Sequence, residues 1–251
     1  MLIDTHCHTN LYLNLDEILE EAKAVGLGKI LCVGMSAMSQ ERVIQISNDY
    51  DMIYPALGVH PEEIKMNPKI DQQLNDILNY IRESKDKICA IGEIGLDYHF
   101  IKEQSLYPLQ KNIFSEMLSL AQELNLPVNL HTKGAEKEIF ETLPSYKIPN
   151  VNIHWYSGPE NILNEGIDRG YYFSITPAIR YSPPVKKVVS KVESDHLLLE
   201  SDGPVKYSGQ IGTPAMTRQV LNEISKIKKI PEEELEDQIE INTKKIFTKM
   251  F

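Results

Sequence analysis

The chain has 251 residues, 42% hydrophobic and 25% charged, an ordinary globular composition with apolar mass for a large core. Its formal net charge of −10 excludes a broad basic footprint for nucleic acid, although bound cations invert the local field of a carboxylate site. No apolar run approaches the ~18 residues of a membrane span, and the N-terminus carries neither a basic nor an apolar leader. Cys7, Cys32 and Cys89 read as reduced thiols of a cytoplasmic protein.

The first stretch, Leu2 to His8, is an apolar strand running into two histidines. Strand alternation puts His6 and His8 on one face and turns Cys7 to the other, to pack under the helices. A helix follows over Leu15 to Val25 and ends at Gly26 and Gly28. Lys29 to Gly34 is a buried strand, and Ser39 is placed to cap a helix reaching Tyr50. Ile53 to His60 is the third strand, weakened early by Pro55, with a helix over Asp71 to Ser84 behind it.

The alternation continues. Ile88 to Glu93 is strand four, followed by a long helix over Gln104 to Asn125 interrupted near Pro108. Pro127 to His131 is strand five, with a helix over Glu136 to Leu143, and Val151 to His154 is strand six, with a helix over Pro159 to Asp168. Tyr171 to Ile175 is strand seven, Val185 to Val192 is helical, and His196 to Glu200 is strand eight. Two helices, Pro214 to Ile227 and Pro231 to Phe247, close the chain. Short apolar strands alternating with helices at spacings of roughly 25–40 residues, with no linker or composition shift, predict one (β/α)8 TIM barrel over residues 1–251, with an extra C-terminal helix. An open doubly wound sheet is the poorer reading, because no early strand–helix turn carries a Gly-rich phosphate fingerprint.

Barrel enzymes place their chemistry at the C-terminal ends of the strands. There the chain puts His6 and His8, His60, Glu93, His131, His154 and Asp202. Imidazoles and carboxylates bind borderline divalent cations, and a carboxylate can bridge two of them. Even six such ligands are too many for one open catalytic ion and suit a pair. His99 and His196 read as rim and structural residues.

These segments resemble the TatD family of metal-dependent deoxyribonucleases. The resemblance runs through Ile3-Asp-Thr-His-Cys-His8, Ala56-Leu-Gly-Val-His-Pro61, Ala90-Ile-Gly-Glu-Ile-Gly-Leu-Asp-Tyr98, Leu126-Pro-Val-Asn-Leu-His131, Asn152-Ile-His154 with Gly158, Leu197-Leu-Leu-Glu-Ser-Asp202 and Asn242-Thr-Lys-Lys-Ile-Phe247. It implies DNA phosphodiester hydrolysis, exonucleolytic or at lesions, with two divalent ions, whether magnesium, zinc or manganese. On that pattern His6 and His8 hold one metal, Glu93 bridges to a second, and His131 and His154 complete the second. Asp202 binds the first and orients or deprotonates the attacking water, with Glu93 and Asp202 as the catalytic pair. His60 reaches the substrate phosphate, and Glu200 stands behind the ligands.

The rim departs from the family pattern in His131-Thr-Lys-Gly-Ala135, His154-Trp-Tyr-Ser-Gly158 and Glu200-Ser-Asp-Gly-Pro204. Trp155 and Tyr156 follow a ligand directly, where Trp155 is placed either to stack an unpaired base or to pack the barrel top. Lys133 is placed to meet a phosphate as a point charge. The expected substrate is single-stranded, end or damaged DNA, with no membrane and no obligate protein partner. The alternative keeps the same metals in an amidohydrolase-type hydrolase of an ester, lactone or cyclic amide, and a non-catalytic binding protein is disfavoured because no ligand is missing.

Overall fold

A computed structural model describes residues 1–251. The first half runs β1 (Leu2–Cys7), α1 (Leu15–Ala24), β2 (Leu27–Val33), α2 (Ala37–Asp49), β3 (Ile53–Leu57), α3 (Glu63–Met66), α4 (Ile70–Glu83), β4 (Ala90–Gly95) and α5 (Tyr107–Leu124). The second half runs β5 (Val128–His131), α6 (Glu136–Thr142), β6 (Val151–His154), α7 (Glu160–Asp168), β7 (Tyr172–Ile175), α8 (Pro183–Lys191) and β8 (Leu197–Leu199). A hairpin, β9 (Lys206–Tyr207) and β10 (Gln210–Ile211), precedes α9 (Thr217–Lys228) and α10 (Glu232–Ile246).

Strands β1 to β8 lie in sequence order, and every ladder between neighbours is parallel. With helices between the strands, the architecture is the expected (β/α)8 barrel, nearly closed. β8 meets β1 without a ladder. The seam is joined instead by Thr5 Oγ1 donating to the Leu199 carbonyl at 2.8 Å, and by Asp202 N–H donating to His6 O at 2.9 Å and His8 N–H to Gly203 O at 2.8 Å. No helix is long and apolar enough to cross a membrane.

Two apolar cores divide at the strands. The outer one, between strands and helices, gathers 60 buried residues, among them Cys7, which faces the helices as expected. The inner one holds 11 residues and fills the N-terminal end of the barrel. Ile3, Leu31, Val33, Ala56, Ala90 and Leu198 from the strands meet Ile246, Phe247 and Met250 there. The extra C-terminal helix α10 and the turn after it therefore plug one end, which leaves the other end for polar side chains. Asn242 on α10 ties the plug to the wall by donating to the carbonyls of Ser194 and Leu197, at 2.7 and 2.9 Å.

Local signals differ from the sequence reading in a few places. α2 is capped by Ser36, while Ser39 is the third helical residue and answers with its own hydroxyl, closing a reciprocal capping box. Pro108 opens α5 rather than interrupting it, because a first-turn proline lacks only an N–H that has no helical partner. Gly28 lies inside β2, which starts at Leu27, and β4 runs two residues past Glu93 to Gly95. The hairpin β9–β10 was not expected from the sequence. Its turn puts Ser208 at φ +50° and Gly209 at φ +87°, the two positive φ values of a primed hairpin turn.

Candidate metal centre

Two irregularities in the sheet aim the central side chains. Between Asp4 and Cys7, β1 spends one more residue than its partner segment Ile30 to Cys32. β4 does the same between Ile91 and Ile94 against Val128 to Leu130. An extra residue on one strand reverses which side chains face inward beyond it. Ile3 therefore joins the inner apolar core at the bottom, while His6 and His8 turn inward at the top. Glu93 sits at the corresponding irregularity of β4. At Gly95, φ is +150° and a methyl group would collide with the His131 carbonyl, so glycine lets β4 and β5 approach beside the site.

Every expected residue of the central cluster is buried: His6, His8, His60, Glu93, His131, His154 and Asp202. Their donor atoms form three overlapping groups, His6–His8–Glu93, His6–His154–Asp202 and His60–Glu93–His131, each with its atoms within 4.8 Å of one another. Glu93 Oε2 lies 3.3 Å from His6 Nε2 and 3.6 Å from His8 Nε2, and its Oε1 lies 2.9 Å from His131 Nδ1. Asp202 Oδ1 lies 3.6 and 3.5 Å from the Nε2 atoms of His6 and His8, and its Oδ2 lies 3.8 Å from His154 Nε2.

The outer hydrogen bonds decide what these imidazoles can do. His6 Nδ1–H donates to Asn129 Oδ1 at 2.9 Å, with the amide held in that sense by Nδ2 donating to the Thr5 carbonyl. His8 Nδ1–H donates to the Val33 carbonyl at 3.1 Å, and His154 Nδ1–H to Glu200 Oε1 at 2.9 Å. His131 Nε2–H donates to Asp97 Oδ2 at 2.7 Å. Each ring so placed turns its other nitrogen toward Glu93 or Asp202, where losing a proton would leave a lone pair for a cation. Such outer acceptors fix the tautomer and raise the basicity of a metal-binding imidazole. His6 Nε2 is buried without a hydrogen-bond partner, the state expected of a nitrogen reserved for a cation.

His60 is different. Its Nδ1 accepts from the Glu62 backbone N–H at 3.2 Å, which leaves the proton of the neutral ring on Nε2. That Nε2 faces Glu93 Oε1 at 3.4 Å and His131 Nδ1 at 3.2 Å. In this tautomer His60 offers the centre a donor, not a lone pair.

Electrostatics agree with a cation-binding cavity. Burial opposes charge on His6 and His131, but Glu93, with Asp202 beside His6 and Asp97 beside His131, raises them to about 10 and about 9. Burial alone would raise Glu93, yet His60 and His6 hold it well below the usual carboxylate range. Burial and the neighbouring His6 push His154 well below the ordinary imidazole value. Its ring stacks on that of His6 with centroids 3.8 Å apart. A divalent ion placed among these atoms would replace the protons that now balance the carboxylates.

Sequence reasoning gave Asp97 no role, and Glu200 only a supporting one. Asp97 accepts from His131 and also from the backbone N–H groups of His99 and Phe100, at 2.8 and 2.6 Å. Glu200, fully buried and pushed up to about 7 by burial, accepts from His154 and from the Trp155 N–H, also at 2.9 Å. That bond anchors Trp155 at φ +38°, a conformation bulky residues rarely adopt. Trp155 forms part of a wall. Lys133 Nζ lies 4.6 Å from its ring centre and donates to the Trp155 carbonyl and Ser157 Oγ, and Tyr207 packs 5.6 Å away, centroid to centroid. His99 is an exposed rim residue, and His196 pairs with Asp195 at the start of β8.

A parallel barrel with a buried ring of imidazoles and carboxylates over one mouth defines a metal-dependent hydrolase. The profile of the TatD related DNase family matches residues 3–248, and the chain belongs to that family. It is 34% identical over 250 residues to an uncharacterized metal-dependent hydrolase of Methanocaldococcus jannaschii, covering 98% of this chain and 96% of that protein. Human deoxyribonuclease TATDN3 is 31% identical over 263 residues, covering 99% of this chain and 95% of the relative. The crystal structure of YjjV, a TatD homolog from Escherichia coli K12, superposes with a TM-score of 0.89 at 27% identity, covering 98% of each chain.

Proposed function

We propose that the protein hydrolyses phosphodiester bonds of DNA at a two-metal centre, on a single-stranded, frayed or damaged end. The observation that carries this reading is the orientation of the rings: His6, His8, His131 and His154 each tie one nitrogen to a protein acceptor and turn the other toward Glu93 or Asp202. His6, His8 and Asp202 would hold one ion, His131 and His154 the other, and Glu93 would bridge them. This mixed donor set suits zinc or manganese and accepts magnesium less readily. When bound, a pair of divalent cations supplies Lewis acidity toward a phosphoryl oxygen and acidifies water.

The chain's own groups do the rest. Asp202 takes the proton of the attacking water at a carboxylate oxygen, as general base. His60, with its proton on Nε2, donates to a phosphate oxygen where negative charge grows. Lys133 and Trp155 shape the wall on the β5–β6 side, with the ammonium within reach of an incoming phosphate. Burial of the carboxylates excludes bulk water from the reacting atoms. All of these residues come from one domain spanning residues 1–251, and the reading invokes no protein partner. Three buried free thiols accord with a reducing cytoplasm.

The test is digestion of end-labelled single- and double-stranded DNA with each divalent ion in turn, beside Asp202→Asn and a chelated control. Metal-dependent cleavage that the substitution abolishes is expected. Hydrolysis of lactones or carboxyl esters with every DNA substrate left intact would overturn the nuclease assignment.

A further inference from the structure

Beside the metal centre, a cleft of 310 Å³ opens between the turn after β7 and the hairpin β9–β10. Its size falls at the lower end of the roughly 300–1,000 Å³ usual for small-ligand sites, room for about one nucleotide. Tyr207 forms the wall that cleft and centre share. Its hydroxyl donates to the Ser201 carbonyl at 2.7 Å, next to Asp202, and its ring packs on Trp155, next to His154. Arg180 and Tyr181 line the side away from that wall, with Ser208 and Gln210 on the hairpin.

Arg180 is exposed, and its guanidinium is held only by Gln219 Oε1, 3.3 Å from Nη1. Tyr181 is 51% exposed, an aromatic ring with no hydrogen-bond partner on its hydroxyl. An unpaired guanidinium and an open aromatic face on one cleft wall match the two recurring parts of a nucleotide, its phosphate and its base. The adjoining hollow beyond Arg180 contains Glu223 and Glu232, and its second arginine, Arg218, already pairs with Glu236 at 2.8 Å. Glu223 is paired with Lys226 at 2.7 Å and Glu232 accepts from Asn222, so Arg180 is the one arginine lining these hollows without a carboxylate partner.

We propose that this cleft is a nucleotide subsite for the residue flanking the scissile phosphate, with Tyr181 stacking on its base and Arg180 binding the next phosphate. The proposal rests on the nuclease reading above. It accounts for strand binding by a chain of net charge −10: a few cations at the barrel mouth replace a basic surface.

The experiment compares a single-stranded oligothymidylate with methyl p-nitrophenyl phosphate, a diester that carries no base to place in the cleft. Both are assayed with wild-type enzyme, Tyr181→Ala and Arg180→Ala, each loaded with the metal that best supports cleavage. Tyr181→Ala is expected to raise KM for the oligonucleotide about tenfold relative to the short diester, the scale of one lost stacked base. Arg180→Ala is expected to lower the slope of log KM against log salt by about 0.7, the share of one phosphate contact on a single strand. If both variants keep the wild-type KM ratio and salt slope, the subsite is refuted and the nuclease reading stands. If the wild-type enzyme hydrolyses neither diester, the nuclease reading itself falls.

Discussion

Glu200 is the sharpest point at which to perturb the centre without touching a donor atom. Its Oε1 accepts from His154 Nδ1 and Trp155 N, both at 2.9 Å, and its Oε2 is buried without a partner. Glu200→Ala leaves two buried donors unsatisfied, at about 1–3 kcal/mol each. It also removes a carboxylate that burial pushes up to about 7 from its ordinary 4.5, an ionisation disfavoured by about 3 kcal/mol. These terms oppose each other, so global stability should change by only about 1–2 kcal/mol. Metal affinity has no such offset. Loss of the outer acceptor of His154 should weaken binding about 10–100-fold, or about 1.4–2.7 kcal/mol. Glu200→Gln keeps an acceptor and should lose much less. Competition against a chromophoric chelator measures the affinity, and emission of Trp155, the only tryptophan, reports the local backbone. Wild-type affinity and unchanged emission in Glu200→Ala would refute the role assigned to this carboxylate.

Asp97→Asn should likewise lower turnover about 10–100-fold with the fold intact, because an amide orients His131 without supplying the charge that raises its basicity; steady-state kinetics beside circular dichroism check this. In the metal-free protein His6 and His131 hold protons up to about 10 and about 9, so metal affinity should rise with pH across that range. Calorimetry in buffers of different ionisation enthalpy should then show close to two protons released near pH 7, and a release near zero would contradict it. The same raised values make their contribution to metal-free stability complete below about 6.5 and lost as pH climbs through 9 and 10, which urea titrations at pH 6 and 10 can read. Phe247→Ala, at the buried plug, should cost about 3–5 kcal/mol in urea unfolding, and a loss under 1 kcal/mol would show that the inner core does not depend on the plug.

Much of this architecture is written in local pattern. Short apolar strands ending in His131 or His154, each followed by an amphipathic segment, specify a barrel because both faces of such strands must be buried. The site was legible for a related reason: histidines and carboxylates at several strand ends of a barrel converge on one mouth whatever the details of packing. The irregularities in β1 and β4 were not legible, since nothing between Asp4 and Cys7 or between Ile91 and Ile94 spells an extra residue. They arise from register with neighbours distant in sequence. Asp97 lay inside a recognisable motif, but its use depends on where His131, on another strand, turns its Nε2. The preference of His60 for a proton on Nε2 depends on one backbone N–H, that of Glu62. The hairpin had a signal, Ser208-Gly209, too slight beside strands of two residues.

The unladdered seam between β8 and β1 also orders events in time. Asp202 N–H bonds to the His6 carbonyl, so the first and last barrel strands meet through two residues of the candidate metal centre. A growing chain carries His6 and His8 long before Asp202, and cannot finish the pocket until Asp202 has been made and the barrel has shut. A cation bound there would favour the closed ring over every open one, because only the closed ring presents both halves of the proposed shell. With the shell assigned as proposed, a partly opened chain would lack hydrolytic competence, which would make activity a readout of completed topology.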